Sequence, residues 1–200
     1  MSGAITFTCA WAFTSGGPNP AIGLNIAFPD TSALYWVTPF AIDQAATIIV
    51  NGEFPDARYM SWNAYDASLT TYDINGVKSG LPDFAIVPDA GSVNCAADYQ
   101  LKPDADGYYT VVASAAKDRP ANATDAKGVS WLANSPTLAN TRHMLIVRNM
   151  LPNGFDQAVQ NVPVDSTQQA AEAVMQAYYP RAWVCARSTF EAGGWQACAK

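Results

Sequence analysis

Short apolar runs with a period of two, cut off by turn residues, constrain this chain most strongly. A side-chain period of two belongs to a strand with distinct faces. Ile5 to Phe13 sets Ile5, Phe7 and Cys9 against Thr6 and Thr8. Ile22 to Phe28, Leu34 to Val37, Ala46 to Val50, Phe84 to Val87, Tyr108 to Ala113 and His143 to Met150 continue the habit. Clusters such as Ser15-Gly16-Gly17-Pro18-Asn19-Pro20 and Pro103-Asp104-Ala105-Asp106-Gly107 separate them. Asn51-Gly52 behind Ile48-Ile49-Val50 predicts a hairpin turn. Ala57 to Tyr65 differs, because aromatics fall on both of its faces: Tyr59 and Tyr65 on one, Trp62 on the other. That pattern predicts a central strand covered on both sides.

One stretch breaks the pattern. Ser166 to Tyr178 is rich in Ala, Gln and Glu, with Ala170, Ala171, Val174, Ala177 and Tyr178 at helical spacing. Asp165 or Ser166 can cap its start, and Pro180 stands just past its end. The sequence therefore predicts a mostly β fold in one domain over residues 1–200: an antiparallel β-sandwich, jelly-roll-like, with one amphipathic helix near residues 166–178. Lys117 to Lys127 is polar, contains a proline, and reads as an exposed loop.

Composition narrows the setting. Half of the 200 residues are hydrophobic, ample for a folded core, while only 14% are charged. Eleven Lys and Arg are scattered singly, and the net charge is −6. Nucleic-acid binding needs clustered cations, so the chain is not expected to bind nucleic acid, nor anionic membrane surfaces. No segment approaches the ~18 apolar residues of a membrane span. The opening segment has strand patterning without basic residues, so no signal peptide is expected within this sequence.

Four cysteines, Cys9, Cys95, Cys185 and Cys198, form no CxxC motif, and the sole histidine is His143. No zinc-site spacing is present, and no metal or cofactor is expected. The even count fits two disulfides, with Cys185–Cys198 closing a short loop over Arg187 to Gln196 and Cys9 left for Cys95. The alternative is four buried thiols. With the low-charge surface, the disulfide reading places the protein outside the cytoplasm: secreted, periplasmic or on the cell surface.

Chemistry could sit in three places. His143 would have to serve any Ser–His–Asp or Cys–His site, but no GxSxG elbow accompanies it; a strand-end histidine is the structural reading. Asp56, Asp66, Asp73, Asp83 and Asp89 could face one another for acid–base work, yet most adjoin Pro or Gly, where Asp serves turns. Asp73-Ile74-Asn75-Gly76 and Asp104-Ala105-Asp106-Gly107 resemble the start of a calcium loop, but neither has the acidic residue at position twelve. Six tryptophans and nine tyrosines could line a sugar platform or fill a core. Asn122-Ala123-Thr124 is a glycosylation sequon.

Phe54-Pro55-Asp56-Ala57-Arg58-Tyr59-Met60-Ser61-Trp62-Asn63-Ala64-Tyr65-Asp66 is the most distinctive run. With Ile86-Val87-Pro88-Asp89-Ala90-Gly91-Ser92-Val93-Asn94, Ala139-Asn140-Thr141 and the strand Met144 to Arg148, it resembles a family of largely uncharacterised bacterial exported proteins. There a FPDARYMSFNVYD strand precedes a PDPGSxNPF turn and an ANT segment. The resemblance spans residues 45–150 and implies a jelly-roll-like domain without bringing an activity. Cys95 departs from the Pro-Phe of the family pattern. Within the matched run, Arg58 needs a carboxylate partner if buried, from Asp56, Asp66 or Asp89. Alternatively it grips an anionic ligand. Arg58, Tyr59, Asp66 and His143 are the candidate ligand-binding residues.

Two functional readings stay open. One is an extracytoplasmic domain that binds a small molecule, carbohydrate or protein, or serves in an envelope assembly, as a monomer or an oligomer. The other is an enzyme acting on a carbohydrate or small hydrophobic molecule in an aromatic cleft, using Asp, Tyr or Arg side chains.

Overall fold

The computed structural model describes residues 12–14, 33–40, 46–66, 95–97, 101, 103–135, 143–152, 154–163 and 167–200. They form nine strands in two open sheets. In chain order these are β1 (Ala12–Thr14), β2 (Ala33–Phe40), β3 (Ala46–Glu53), β4 (Ala57–Asp66), β5 (Cys95–Ala97), β6 (Tyr108–Ala115), β7 (Val129–Ser135), β8 (His143–Pro152) and β9 (Arg181–Ala186). Two helices, α1 (Gln168–Met175) and α2 (Arg187–Cys198), come late. The first sheet runs β1-β2-β8-β4-β5 and is antiparallel throughout. The second runs β7-β6-β3-β9. It is antiparallel except for β6 and β7, which lie parallel.

The parallel pair departs from the antiparallel expectation. Parallel neighbours need a crossover, which local turn signals do not reveal. Residues 116–128 make it with two short 3-10 turns. This segment is also less exposed than its composition predicts. Ala123 is fully buried, and Arg119 lies 4.5 Å over the Trp131 ring while Nε and Nη2 donate to the Ala123 carbonyl. A guanidinium that is both stacked and hydrogen-bonded fastens the crossover to β7.

One core draws on both sheets. Met60 and Trp62 of β4 and Leu145 and Val147 of β8 meet Ile48 and Val50 of β3 and Val111 of β6. α1 joins it through Ala171 and Met175. The alternate residues of β3 and β6, Ile49 and Val112, face a second cluster with Trp131, Cys185 and Phe190 of α2. The second sheet is thus covered on both faces. β4 is buried on both faces too, at Met60 to Ala64, as its two-sided pattern predicts.

Asn51-Gly52 is not a turn. It lies inside β3, where the Asn51 amide donates to the Tyr109 carbonyl at 2.9 Å. A Cβ on Gly52 would stand 3.0 Å from the Tyr109 hydroxyl and 3.4 Å from the backbone of Pro180. Glycine therefore admits a close approach here and does not reverse the chain. The reversal comes at Pro55-Asp56, after which β4 enters the other sheet.

The predicted helix forms as α1, followed by a 3-10 turn over Gln176–Tyr178. Its N-cap is Thr167, whose hydroxyl accepts from Ala170 N–H, one residue beyond the expected cap. Gln176 ends it at a φ of 52°. α2 lies inside the segment that the Cys185–Cys198 pairing closes, and the sequence pattern does not announce it. Gly193 and Gly194 break its helical geometry, with Gly194 at a φ of 64°, and mask the helix in the sequence. The Cys185–Cys198 disulfide is present and ties the end of α2 back to β9. Cys9 lies outside the described residues, as do the strands expected at Ile22 to Phe28 and Phe84 to Val87. Cys95 opens β5 opposite Asn63.

Candidate functional site

The sequence-predicted binding residues fall at two ends of one strand pair. In the register of β4 and β8, Asp66 is opposite His143, and Tyr59 is opposite Met150. His143 is in turn opposite Phe40 of β2. Asp66 stands seven positions after Tyr59, roughly 23 Å along the strand. The backbone therefore brings Asp66 and His143 together and holds Arg58 and Tyr59 apart from them. All four belong to the first sheet.

An open groove of about 1200 Å³ lies instead on the second sheet. Its walls are built from four places. The turn before β6 supplies Asp104, Asp106 and Tyr108; the polar face of α1 supplies Gln168, Gln169 and Glu172; the start of β9 supplies Arg181 and Trp183; and the end of α2 supplies Trp195 and Gln196. Each part has a local cause. Asp104 Oδ1 accepts from the N–H groups of Asp106 and Tyr108 at 3.0 and 2.9 Å, and Gly107 takes a φ of 86°. That is the turn duty of Asp, and it displays Asp106 at the tip. α1 buries Ala171 and Met175 and leaves its Gln and Glu residues outward. Gln168 donates to Glu172 at 2.7 Å, one turn along.

The Trp183 and Trp195 rings stack at 5.8 Å between centroids and 18° between planes. The disulfide holds them in register, since Cys185 and Cys198 flank the pair on the same two elements. Thr47 adds a buried tie by donating to the Cys185 carbonyl. The groove thus presents three carboxylates and one guanidinium, several side-chain amides, and an aromatic pair. Among the described residues, no group of three or more His, Cys, Asp or Glu is placed to hold a metal.

A second, apolar space lies between the sheets under α1. Met60, Tyr109, Val147, Val159, Met175 and Tyr178 surround it. At about 30 Å³ it has room for a water or two and not for an organic ligand. Tyr178 lines it and packs on Phe155, with ring centroids 5.1 Å apart. Burial pushes the Tyr178 phenol above its usual range, and the nearby Glu53 carboxylate adds to this. Tyr109 is wholly buried, which raises its phenol far above the usual value, and its ring lies against Trp62 with centroids 6.0 Å apart.

The sequon is occupied by packing. The Asn122 amide donates to the Phe190 carbonyl of α2 at 2.9 Å, and its Oδ1 is buried. No helix among the described residues is long and apolar enough to cross a membrane.

In the sequence Asp104 and Asp106 have the pattern of a turn, and Trp183 and Trp195 are two of six tryptophans. No sequence motif marks Glu172 or Arg181. The available signal was the polar stripe of Gln168, Gln169, Glu172 and Gln176 on a helix whose opposite face is apolar.

No family model matches this chain, and no curated protein matches it. Solved structures do. A crystal structure of an uncharacterised protein from Burkholderia cenocepacia is similar over 90% of this chain and 35% of its own, at 14% identity and a TM-score of 0.53. The VPA0106 protein from Vibrio parahaemolyticus is similar over 80% of this chain and 32% of its own, at 16% identity and a TM-score of 0.42. This chain spans about a third of the length of each. The Burkholderia likeness is one of fold alone.

Proposed function

We propose that this chain is an extracytoplasmic β-sandwich domain that binds a ligand or partner through the groove between α1, the 104–107 turn and the end of α2. The groove carries the reading: it is ligand-sized, polar on its walls and aromatic at one end. The core shared by two sheets supports the sandwich. The parallel β6–β7 pair departs from the all-antiparallel order of a jelly roll. The Cys185–Cys198 disulfide supports an oxidising compartment. The likeness to the exported bacterial family with FPDARYMSFNVYD-type motifs belongs to the same proposal.

Binding is favoured over hydrolysis by how the acids are used. Asp104 spends one oxygen on two turn N–H groups, and Glu172 accepts from Gln168. General acid–base work needs carboxylates held toward a shared substrate bond.

The test is native mass spectrometry on protein recovered from its own cells, with carbodiimide labelling of carboxylates before and after the bound species is stripped. The expected result is a bound species whose removal raises labelling of Asp106 and Glu172. Protein that carries nothing, or labelling that does not change, overturns the reading.

A further inference from the structure

The groove crosses one end of the second sheet. β6 begins there at Tyr108, β9 begins there at Arg181, and β3 ends there, with Glu53 opposite Tyr108 and Asn51 opposite Arg181. The 104–107 turn stands on the β6 side and Trp183 on the β9 side, with β3 between them. Two strand spacings make that span about 10 Å before side chains are counted. The groove's volume of about 1200 Å³ also exceeds the roughly 300–1,000 Å³ usual for small-molecule pockets. The space fits an elongated ligand that reaches both ends better than a single small ring.

The walls narrow the chemistry further. Of the described residues that line the groove, three are carboxylates and one is a guanidinium, so an anion is repelled. Asn51 is 6% exposed, and its amide nitrogen donates to the Tyr109 carbonyl and the Thr110 hydroxyl. With its N–H groups spent there, Asn51 has its carbonyl oxygen to offer a ligand. Asp106 and Glu172 offer acceptors too, whereas Arg181 and the amides of Gln169 and Gln196 bring donors. A ligand that satisfies both kinds needs groups that donate and accept at once, as hydroxyls do. An ammonium donates only, and Arg181 would face it as a like charge.

The aromatic pair completes the match. Trp183 and Trp195 are half-buried and line the groove, so part of each indole is open to it. Aromatic faces carry the negative end of the ring quadrupole and attract weakly positive C–H groups. A sugar ring has C–H groups on its faces and hydroxyls round its rim. Pairing with β3 fixes Trp183 opposite Ile49, and the disulfide fixes the end of α2. The pair is therefore set before a ligand arrives, and little side-chain freedom is lost on binding.

We propose that the groove binds a neutral oligosaccharide, stacked on the Trp183–Trp195 pair at one end and hydrogen-bonded along its length to Asn51, Glu172 and Asp106. The inference rests on the binding-domain reading and names its ligand class.

The experiment titrates the whole chain with cellohexaose, maltohexaose, mannohexaose and chitohexaose, and with hexagalacturonate and spermine as charged controls. Binding is read by calorimetry and by tryptophan emission. At least one neutral hexasaccharide is expected to bind at millimolar concentration or tighter and to change the emission. Its monosaccharide should not saturate the protein at the same concentration, and the charged probes should not bind. Trp195→Ala should abolish binding. An Asp106→Asn/Glu172→Gln double variant, altered only at exposed positions, should weaken it roughly tenfold, as loss of charge-assisted hydrogen bonds does. The double variant keeps the test sound if loss of Trp195 unfolds the end of α2. Failure of all four neutral hexasaccharides to bind overturns the inference, as does binding that both variants leave unchanged. Binding of hexagalacturonate or spermine in their place also overturns it. In each of these cases a bound species in the native mass spectrum still supports the broader binding reading, so the two can fail separately.

Discussion

Removing the Cys185–Cys198 disulfide, by a Cys185→Ala/Cys198→Ala double variant or by reductant, tests how α2 is held. The bridge spans 13 residues. Restricting a loop of that length in the unfolded chain contributes about 3 kcal/mol on the chain-entropy account. In a chain of this size each kcal/mol moves Tm by roughly 2–4 °C, so loss of the bridge should lower Tm by roughly 6–12 °C. The other ties of α2 persist. Phe190 stays in its cluster, Asn122 still donates to the Phe190 carbonyl, and Glu191 still accepts from Ala121 N–H. The 3.6 Å pair of Arg187 with Asp118 is half-exposed on the arginine side and adds little. The helix should therefore remain docked at its start and loosen at its end. Scanning calorimetry with tryptophan fluorescence reads both effects, because the end of α2 carries Trp195 and its stack on Trp183. A Tm change below 2 °C with unchanged fluorescence would refute the reasoning. So would alkylation of both cysteines in native protein without reductant.

Three further outcomes follow from the core. Gly52→Ala places a Cβ against the Tyr109 hydroxyl and the Pro180 backbone, so urea unfolding should show a loss of about 1–3 kcal/mol, as for overpacked sites. Tyr109→Phe removes a fully buried hydroxyl beside the Trp62 ring and should cost about 1 kcal/mol in the same assay. Stability should fall as pH rises above 10. The unfolded Tyr109 ionises near its usual value, while the folded phenol is held neutral by burial, so the native state binds more protons there. Tyr178 is shifted in the same direction. Unfolding curves from pH 8 to 11 check this, and Tyr109→Phe should flatten the decline.

The strands were legible because their burial is periodic or two-sided, as in β4, where Met60 and Trp62 face the shared core and Ser61 and Asn63 the opposite side. The helix at residues 168–175 was legible from its small apolar stripe and its stop. What local pattern could not carry was long-range pairing. Asn51-Gly52 has the composition of a hairpin turn, yet it sits in β3 because the Tyr109 ring needs its missing Cβ. The parallel pairing of β6 and β7 depends on a crossover whose anchor, Arg119 on Trp131, is a contact between distant segments. α2 was hidden by its Gly193-Gly194 break. The groove was the least legible feature, because its four walls come from segments up to about 90 residues apart that only the sheet register assembles. Asp66 and His143 meet in register, while Arg58 and Tyr59 lie at the other end of the strand.

The groove's role is tested most directly by site-specific photocrosslinking in the native cell. Benzoylphenylalanine is placed at Gln169, exposed on the groove wall, and in a separate protein at Ala126, exposed on the 116–128 crossover away from it. The account predicts a discrete adduct from position 169, lost in the Asp106→Asn/Glu172→Gln background, and none from position 126. Equal adducts from both positions, or adducts from position 126 alone, would contradict it.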